Sequence, residues 1–407
     1  MTIPREFTAE AVELNSVDAF APYSAFHDSG EPYRSLIRNN PWLRPPKPGS
    51  ELEWGKGWYY DTTVGRKHPE WRDKPLPRET KDIHQLRRDL FDWGFCLIED
   101  GVSAEQCARL RERVVDQAAA ERALGIAHMG AAQQHVWCLV NKSEDVVACM
   151  EHDPAAVQAG PMIERLLDET LGTGWHHLSF ISNISYPGCH PQGLHQDQSL
   201  IAPYVTPEAP VLVNTVYILQ DVNEVNGGTL TIPGSHRANG ADGEAYGPLP
   251  RAINLEAKAG TIMLMDGRVF HGGAVNRSDK LRYILTNSVV RPWIRQQEDF
   301  LLTIRPEVLE HASAKFLMRC GFQSTAGRSM VEGYGYSGNG KAGDPNGSLV
   351  HVRHAIDHGG YRYVGPLSMA DVGRIDPAQF TGVRIQREHE TYRNERYQRQ
   401  LADITAL

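Results

Sequence analysis

Residues 260–273 read Gly260-Thr261-Ile262-Met263-Leu264-Met265-Asp266-Gly267-Arg268-Val269-Phe270-His271-Gly272-Gly273. A short apolar run bounded by glycines is too brief for a helix and reads as a buried strand, followed by a turn and a histidine at the start of the next strand. Runs of the same type lie on both sides, at 178–184, 211–219, 229–232 and 283–290, separated by Gly, Pro and Asn. Several short strands with turn punctuation predict a mainly β fold, a barrel or sandwich supported by helices. No strand–helix alternation with a glycine-rich phosphate loop is present, which disfavours a doubly wound nucleotide-binding fold.

The helices are expected on either side of this β region. Ile83, Leu86, Leu90 and Phe91 recur at helical spacing before a short strand at 95–98. Ser103-Ala104-Glu105-Gln106 has the form of a capping box, continued by Leu110, Val114 and Val115. Met162, Ile163, Leu166, Leu167 and Leu171 signal another helix, and 308–318 a further one. Residues 337–347 have the composition of a flexible loop, and the charged stretch 384–401 that of an exposed helix. Residues 1–81 contain Pro41, Pro45, Pro46 and Pro48 beside Trp42, Trp54, Trp58, Tyr59 and Tyr60. Prolines exclude long helices and aromatics argue against disorder, so an arm packing on the core is expected. Its aromatics would cover a mouth of the core, pack on its surface or make a homodimer contact. The domain plan is therefore an extension over 1–81, a catalytic domain over 82–336 and a second extension over 337–407.

Composition excludes several classes. The 407 residues are 41% hydrophobic and 23% charged, as in ordinary globular chains. A formal net charge of −8 argues against a nucleic-acid partner, whose phosphates need clustered Lys and Arg. No signal-like start and no apolar run of spanning length is visible, so a cytoplasmic protein with no membrane contact is expected. The six cysteines show no Cys-x-x-Cys pairing and read as reduced structural residues.

The chemistry is carried by His195-Gln196-Asp197. Residues i and i+2 of extended chain share a face, so an imidazole and a carboxylate can meet one ion. Alone the triplet is weak, since roughly two H-x-D or H-x-E matches are expected by chance. His68-Pro69-Glu70 is such a match, lying in the proline-rich arm. His271 would complete a facial triad of two histidines and a carboxylate, the set that holds non-haem iron(II). The bland alternative for His271 is a structural histidine bonded to backbone. Eleven positions later Arg282 enters an apolar strand, which is costly unless an anion meets it, and a dicarboxylate would do so.

These residues resemble the phytanoyl-CoA dioxygenase family of iron(II)/2-oxoglutarate oxygenases. The resemblance rests on the ordered set His195-x-Asp197, Asn226-Gly227-Gly228-Thr229-Leu230-Thr231-Ile232-Pro233-Gly234-Ser235-His236, His271 and Arg282, with 90–98 similar to the family's opening strand. It implies a double-stranded β-helix, or jelly-roll, with Fe(II) held by His195, Asp197 and His271 inside one mouth. It also implies 2-oxoglutarate bound by Arg282, Gln192 and Thr229, with O2 as the other co-substrate. Thr229 would equally serve as an ordinary β-branched strand residue, and His236 reads as structural. Because Asp197 is a carboxylate, halogenation is disfavoured. The expected partner is a small organic metabolite, hydroxylated or else desaturated or cyclised. A helical and linking segment containing Gln133, Gln134, His135, Trp137, Leu139 and Asn141 is expected to border the substrate, with core roles for Trp137 and Leu139 as the alternative. Two other readings stand beside the oxygenase: a barrel that binds a ligand without catalysis, and a zinc or manganese isomerase of the cupin type.

Overall fold

The computed structural model describes residues 43–44, 59–60, 69–129, 133–189, 192, 195–201, 209–237, 250–322, 329–331, 335–337 and 365–375. The expectations for Trp42, Trp54, Trp58, the loop beyond Ser337 and the charged stretch 384–401 lie outside these residues. Along the chain the strands are β1 Leu43–Arg44, β2 Tyr59–Tyr60, β3 Glu79–Thr80, β4 Phe95–Ile98, β5 His128–Met129, β6 Gln134–His135, β7 His176–Ser185, β8 Leu212–Ile218, β9 Leu230–Thr231, β10 Ile253–Asn254, β11 Ile262–Asp266, β12 His271–Gly272, β13 Arg282–Val290, β14 Ser329–Val331 and β15 Gly335–Ser337. The helices are α1 Ile83–Trp93, α2 Ala104–Ala123, α3 Glu144–Glu151, α4 Gly160–Leu171, α5 Phe300–Thr303, α6 Pro306–His311 and α7 Ala314–Arg319.

Eight strands form one large sheet in the order β3-β4-β11-β8-β13-β7-β6-β5, and β10-β9-β12 form a small one. Ile253 of the small sheet packs with Val216, Ile218, Met263, Met265 and Ile284 of the large one. The two sheets therefore face each other across an apolar interior, which is a jelly-roll. Trp71 and Leu76, from the proline-rich arm, are buried in the same interior. The opposite face of the large sheet carries Leu264, Leu285, Val289, Phe180, Ile184 and Tyr217, packed beneath residues of α2, α3, α4 and α7. With period-two alternation, each central strand serves both layers.

Local chemistry fixes the ends of the helices. The Asp82 side chain accepts from His84 N at 2.9 Å to start α1. Gly94 ends it in the left-handed region, where a Cβ would lie 2.4 Å from Val269 Cγ2. Ser103 accepts from Gln106 N at 3.1 Å to start α2. The single helix expected over 308–318 is instead two short ones, α6 and α7. Ala312 and Ser313 are extended, and the Ser313 hydroxyl accepts from Phe316 N at 3.0 Å, so a serine cap interrupts the apolar period. Gly365–Ile375, in the assigned C-terminal extension, returns to α2, with Leu367 buried against Ala120, Leu124 and Ile126. No helix among the described residues is long and apolar enough to cross a membrane.

Candidate active site

His195 and His271 form an isolated antiparallel bridge, with His195 N donating to His271 O at 3.0 Å and His271 N to His195 O at 2.9 Å. Directly opposed residues share a face, so the bridge brings the two rings within 4.3 Å of each other, centroid to centroid. Asp197, two residues after His195, opens a short 3-10 turn at 197–200. Its Oδ1 lies 3.4 Å from His195 Nε2, and its Oδ2 3.4 Å from His271 Nε2. All three donor atoms lie within 4.8 Å of one another. His271 Nδ1 donates to Val269 O at 3.0 Å, which leaves the Nε2 lone pair for a cation. Two imidazole nitrogens and one carboxylate oxygen on one side are the donor set of a metal site with open positions.

The carboxylate is held from behind. Asn214 Nδ2 donates to Asp197 Oδ2, and Ser288 Oγ donates to Asn214 Oδ1 at 2.7 Å. Burial would push the Asp197 carboxyl up, but the His271 and His195 imidazoles outweigh it and hold the group well below the usual carboxylate range. For His271 the same contest runs the other way. Burial lowers it, and the Asp197 charge more than restores it, leaving it raised.

Arg282 lies inside the barrel and is 2% exposed. Its Nη2 donates to Ser185 Oγ at 2.7 Å and to Gly227 O at 3.1 Å, and Nη1 to Asn183 O at 3.4 Å. Gly227 has φ of 77°, and a Cβ there would sit 2.9 Å from Ala274 O, so only glycine brings this carbonyl so close. Nε of Arg282 is buried with no partner, and among the described residues no carboxylate pairs with the guanidinium. Burial pushes its pKa down to about 10. A buried cation served only by neutral acceptors is an anion site waiting for its charge.

The other two expected co-substrate residues lie close to these elements. Thr231 pairs with His271, Thr229 lies two residues back in the chain, and the Gly227 carbonyl, two further back, accepts from Arg282. Thr229 is half-buried, with its carbonyl accepting from Leu255 N at 2.8 Å. Gln192 N donates to Gly273 O at 2.8 Å, and Gly273 N donates to Gln192 Oε1 at 3.1 Å. His236 lies outside this row, its Nε2 donating to Phe91 O at 2.9 Å.

The expected substrate residues divide. Gln134 pairs with Ile184 and faces α2, donating to Ala118 O at 3.2 Å and accepting from Arg122 Nη1 at 2.5 Å. Leu139 is buried in the helix-side core. Asn141 donates to Thr303 O at 2.6 Å and accepts from Arg305 N at 2.9 Å. Strand alternation and the turn at 139–141 aim these three toward the helix side, which for Leu139 is the core role given as its alternative; the helical and linking segment expected there is a two-residue strand and a 3-10 turn. Trp137 has the opposite parity to Gln134 and is half-buried beside His128 and His135. Asn214, Ser288, Asn183 and Thr286 were not anticipated, although the alternation Arg282, Ile284, Thr286, Ser288 along β13 carries the signal. A separate cleft of about 700 Å³ between α1 and α4 is bordered by Arg87, Phe91, Glu169 and Arg237. Its Arg87 and Arg237 are paired with Glu169 and Asp92, and it holds none of the triad, Arg282, Gln192 or Thr229, although His236 borders it.

The Phytanoyl-CoA dioxygenase (PhyH) family matches residues 92–284, a span that holds the triad and Arg282. Over these residues the chain is similar to the phytanoyl-CoA dioxygenase family. Relatives include the dioxygenase aneA of Aspergillus aculeatus, 30% identical over 148 residues, 34% of this chain and 49% of that protein. The chain thus spans about half the length of that relative. The dioxygenase olcK of Penicillium canescens is 27% identical over 227 residues, 53% of this chain and 72% of that protein. Among solved structures, the α-ketoglutarate-dependent epimerase SnoN of nogalamycin biosynthesis aligns with TM-score 0.41 and 17% identity, covering 52% of this chain and 83% of that one.

Proposed function

We propose that this chain is an Fe(II)- and 2-oxoglutarate-dependent dioxygenase that oxidises a C–H bond of a small organic metabolite, releasing succinate and CO2. Hydroxylation is the favoured outcome, with desaturation or cyclisation as variants of the same hydrogen abstraction. The observation that carries the reading is Arg282, a buried guanidinium with an orphaned Nε and no acidic partner among the described residues, in the same barrel as the His195, Asp197 and His271 donors. A zinc or manganese isomerase has no use for this second, anion-binding pocket, and a bare binding scaffold has no use for the triad.

In this reading His195, Asp197 and His271 hold the iron, which when bound supplies oxygen activation coupled to decarboxylation of 2-oxoglutarate. Arg282 binds the distal carboxylate of the co-substrate as a charge-assisted pair, with Nε the donor still available. Thr229 and Gln192 flank the path between them, Gln192 with its carboxamide oxygen already committed to Gly273 N. Asn214 and Ser288 keep the Asp197 carboxylate turned toward the two imidazoles. The apolar residues beneath Arg282, among them Ile218 and Ile284, keep water from the reacting centre.

The test is optical. Anaerobic addition of Fe(II) and 2-oxoglutarate to the purified protein should produce the weak visible charge-transfer band of the chelate. The band should vanish in His271→Ala, together with succinate release above background. Absence of the band from pure wild-type protein, or His271→Ala that still releases succinate, sinks the proposal.

A further inference from the structure

We infer that the pair Asn183 and Thr286 is the recognition point for the prime substrate, an uncharged aromatic or fused-ring molecule carrying a hydroxyl or amide group. This deepens the oxygenase reading and rests on it. Arg282, Ile284, Thr286 and Ser288 share the inner face of β13, and Ser288 reaches the Asp197 carboxylate through Asn214. Thr286 therefore lies on the barrel floor between the co-substrate arginine and the metal cluster, about 7 Å along the strand from Ser288. Asn183 lies opposite Ile284, and its Nδ2 donates to Thr286 Oγ1 at 2.9 Å. That bond leaves the threonine hydroxyl proton to point elsewhere. Asn183 Oδ1 is buried beside the His135 ring and meets no donor in good hydrogen-bond geometry among the described residues. One free acceptor beside one free donor is complementary to a hydroxyl or an amide, which supplies both.

The wall beside this pair selects for flat, neutral matter. His128 and His135 are in register across β5 and β6, and Trp137 continues the same face. The three rings touch, with centroids 5.4 to 5.7 Å apart. His135 donates from Nδ1 to Ser182 O at 3.0 Å, and its Nε2 faces Gln133 Nε2 at 3.3 Å. Desolvation holds its pKa down to about 3, so the ring is neutral. This neutral aromatic surface offers stacking area and, among the described residues, no counter-charge for an anionic substrate. All six residues are half-buried or line the inner face, whereas Gln134 and Val136, at alternate positions, are fully buried on the other.

The test uses the anaerobic protein loaded with Fe(II) and 2-oxoglutarate, and three probes: 2-naphthol, naphthalene and 2-naphthoate. Perturbation of the charge-transfer band reports probe binding. The expected result is that 2-naphthol binds at least about tenfold more tightly than either control, the worth of one or two neutral hydrogen bonds. Asn183→Leu and Thr286→Val should each erase that preference while the band itself, and the 2-oxoglutarate concentration needed to form it, stay as in wild type. Equal affinity for the three probes, or an unchanged preference in both variants, overturns the assignment. So does a variant that needs more than about tenfold more 2-oxoglutarate, since the pair would then belong to the co-substrate. If wild-type protein forms no band at all, the oxygenase reading fails and this one with it; a band without selectivity sinks this inference alone.

Discussion

The two faces of β13 are made from one nine-residue strand and do opposite work. Outward, Tyr283, Leu285 and Val289 are set in the apolar layer under the helices. Inward, the same strand presents Arg282, Thr286 and Ser288 to the barrel, each with a polar partner. Both faces are buried, so burial does not separate them; what separates them is charge. The outer face has one polar residue, Asn287, which is neutral and bonded to His177, with its Nδ2 left without a partner among the described residues. The inner face holds a guanidinium with an orphaned Nε, beside an orphaned amide oxygen on adjacent β7, and that uncompensated charge marks it as the binding side.

The comparison breaks most visibly at Arg282. Arg282→Met should raise the 2-oxoglutarate concentration needed for half-maximal turnover by two to three orders of magnitude, about the value of a buried charge pair. The same variant should be as stable as wild type or more so without co-substrate, because an unpaired buried charge has been removed. Thermal denaturation with and without 2-oxoglutarate checks both, since added co-substrate should stabilise wild type only. An apoprotein markedly destabilised by the change would mean that Arg282 is a structural residue.

On the outer face, Leu285→Ala should cost about 2 to 5 kcal/mol in chemical denaturation, as for other fully buried leucines. Its half-saturating 2-oxoglutarate concentration should stay within about twofold of wild type. A large co-substrate effect without loss of stability would erase the distinction between the faces. A smaller effect is expected at the hinge between metal and sheet. Asn214→Ala should weaken Fe(II) binding about 10- to 100-fold, measured by metal titration, without altering the melting curve of the metal-free protein by more than a few degrees.

The smallest effect concerns pH. His177 lies in the outer layer, bonded to Met150 O at 3.0 Å and the Asn287 carboxamide at 2.9 Å, and burial lowers its pKa to about 3. Because the folded value lies below the unfolded one of about 6.5, the unfolded chain binds the extra proton between these limits. Stability from this residue is complete above pH 6.5 and is lost as pH falls toward 3. His177→Gln should flatten the acid limb of the stability curve by about one proton. A limb of unchanged slope would show that His177 is protonated in the native state.

Much of this was legible in the chain. The β runs at 178–184, 211–219 and 283–290 matched strands to within two residues, because each is an apolar segment with turn chemistry at its ends. His195, Asp197, His271 and Arg282 could be singled out for a related reason: spacing and the cost of a charge in an apolar strand are written in the sequence. The substrate wall is less legible. The family resemblance groups Gln134, Leu139 and Asn141 with Trp137, whereas a two-residue strand and a 3-10 turn send alternate side chains to opposite layers.

The sequence by itself therefore determined the strand inventory, the helix caps at Asp82 and Ser103, and the set of residues with chemistry to offer. Tertiary structure alone decided which of them meet. The bridge between His195 and His271 joins residues far apart in the chain, and Asn214, Ser288, Asn183 and Thr286 are ordinary strand residues until register places them on the inner face. Alternation can be read from a single strand, but which parity faces the barrel depends on the sheet and helices packed against it.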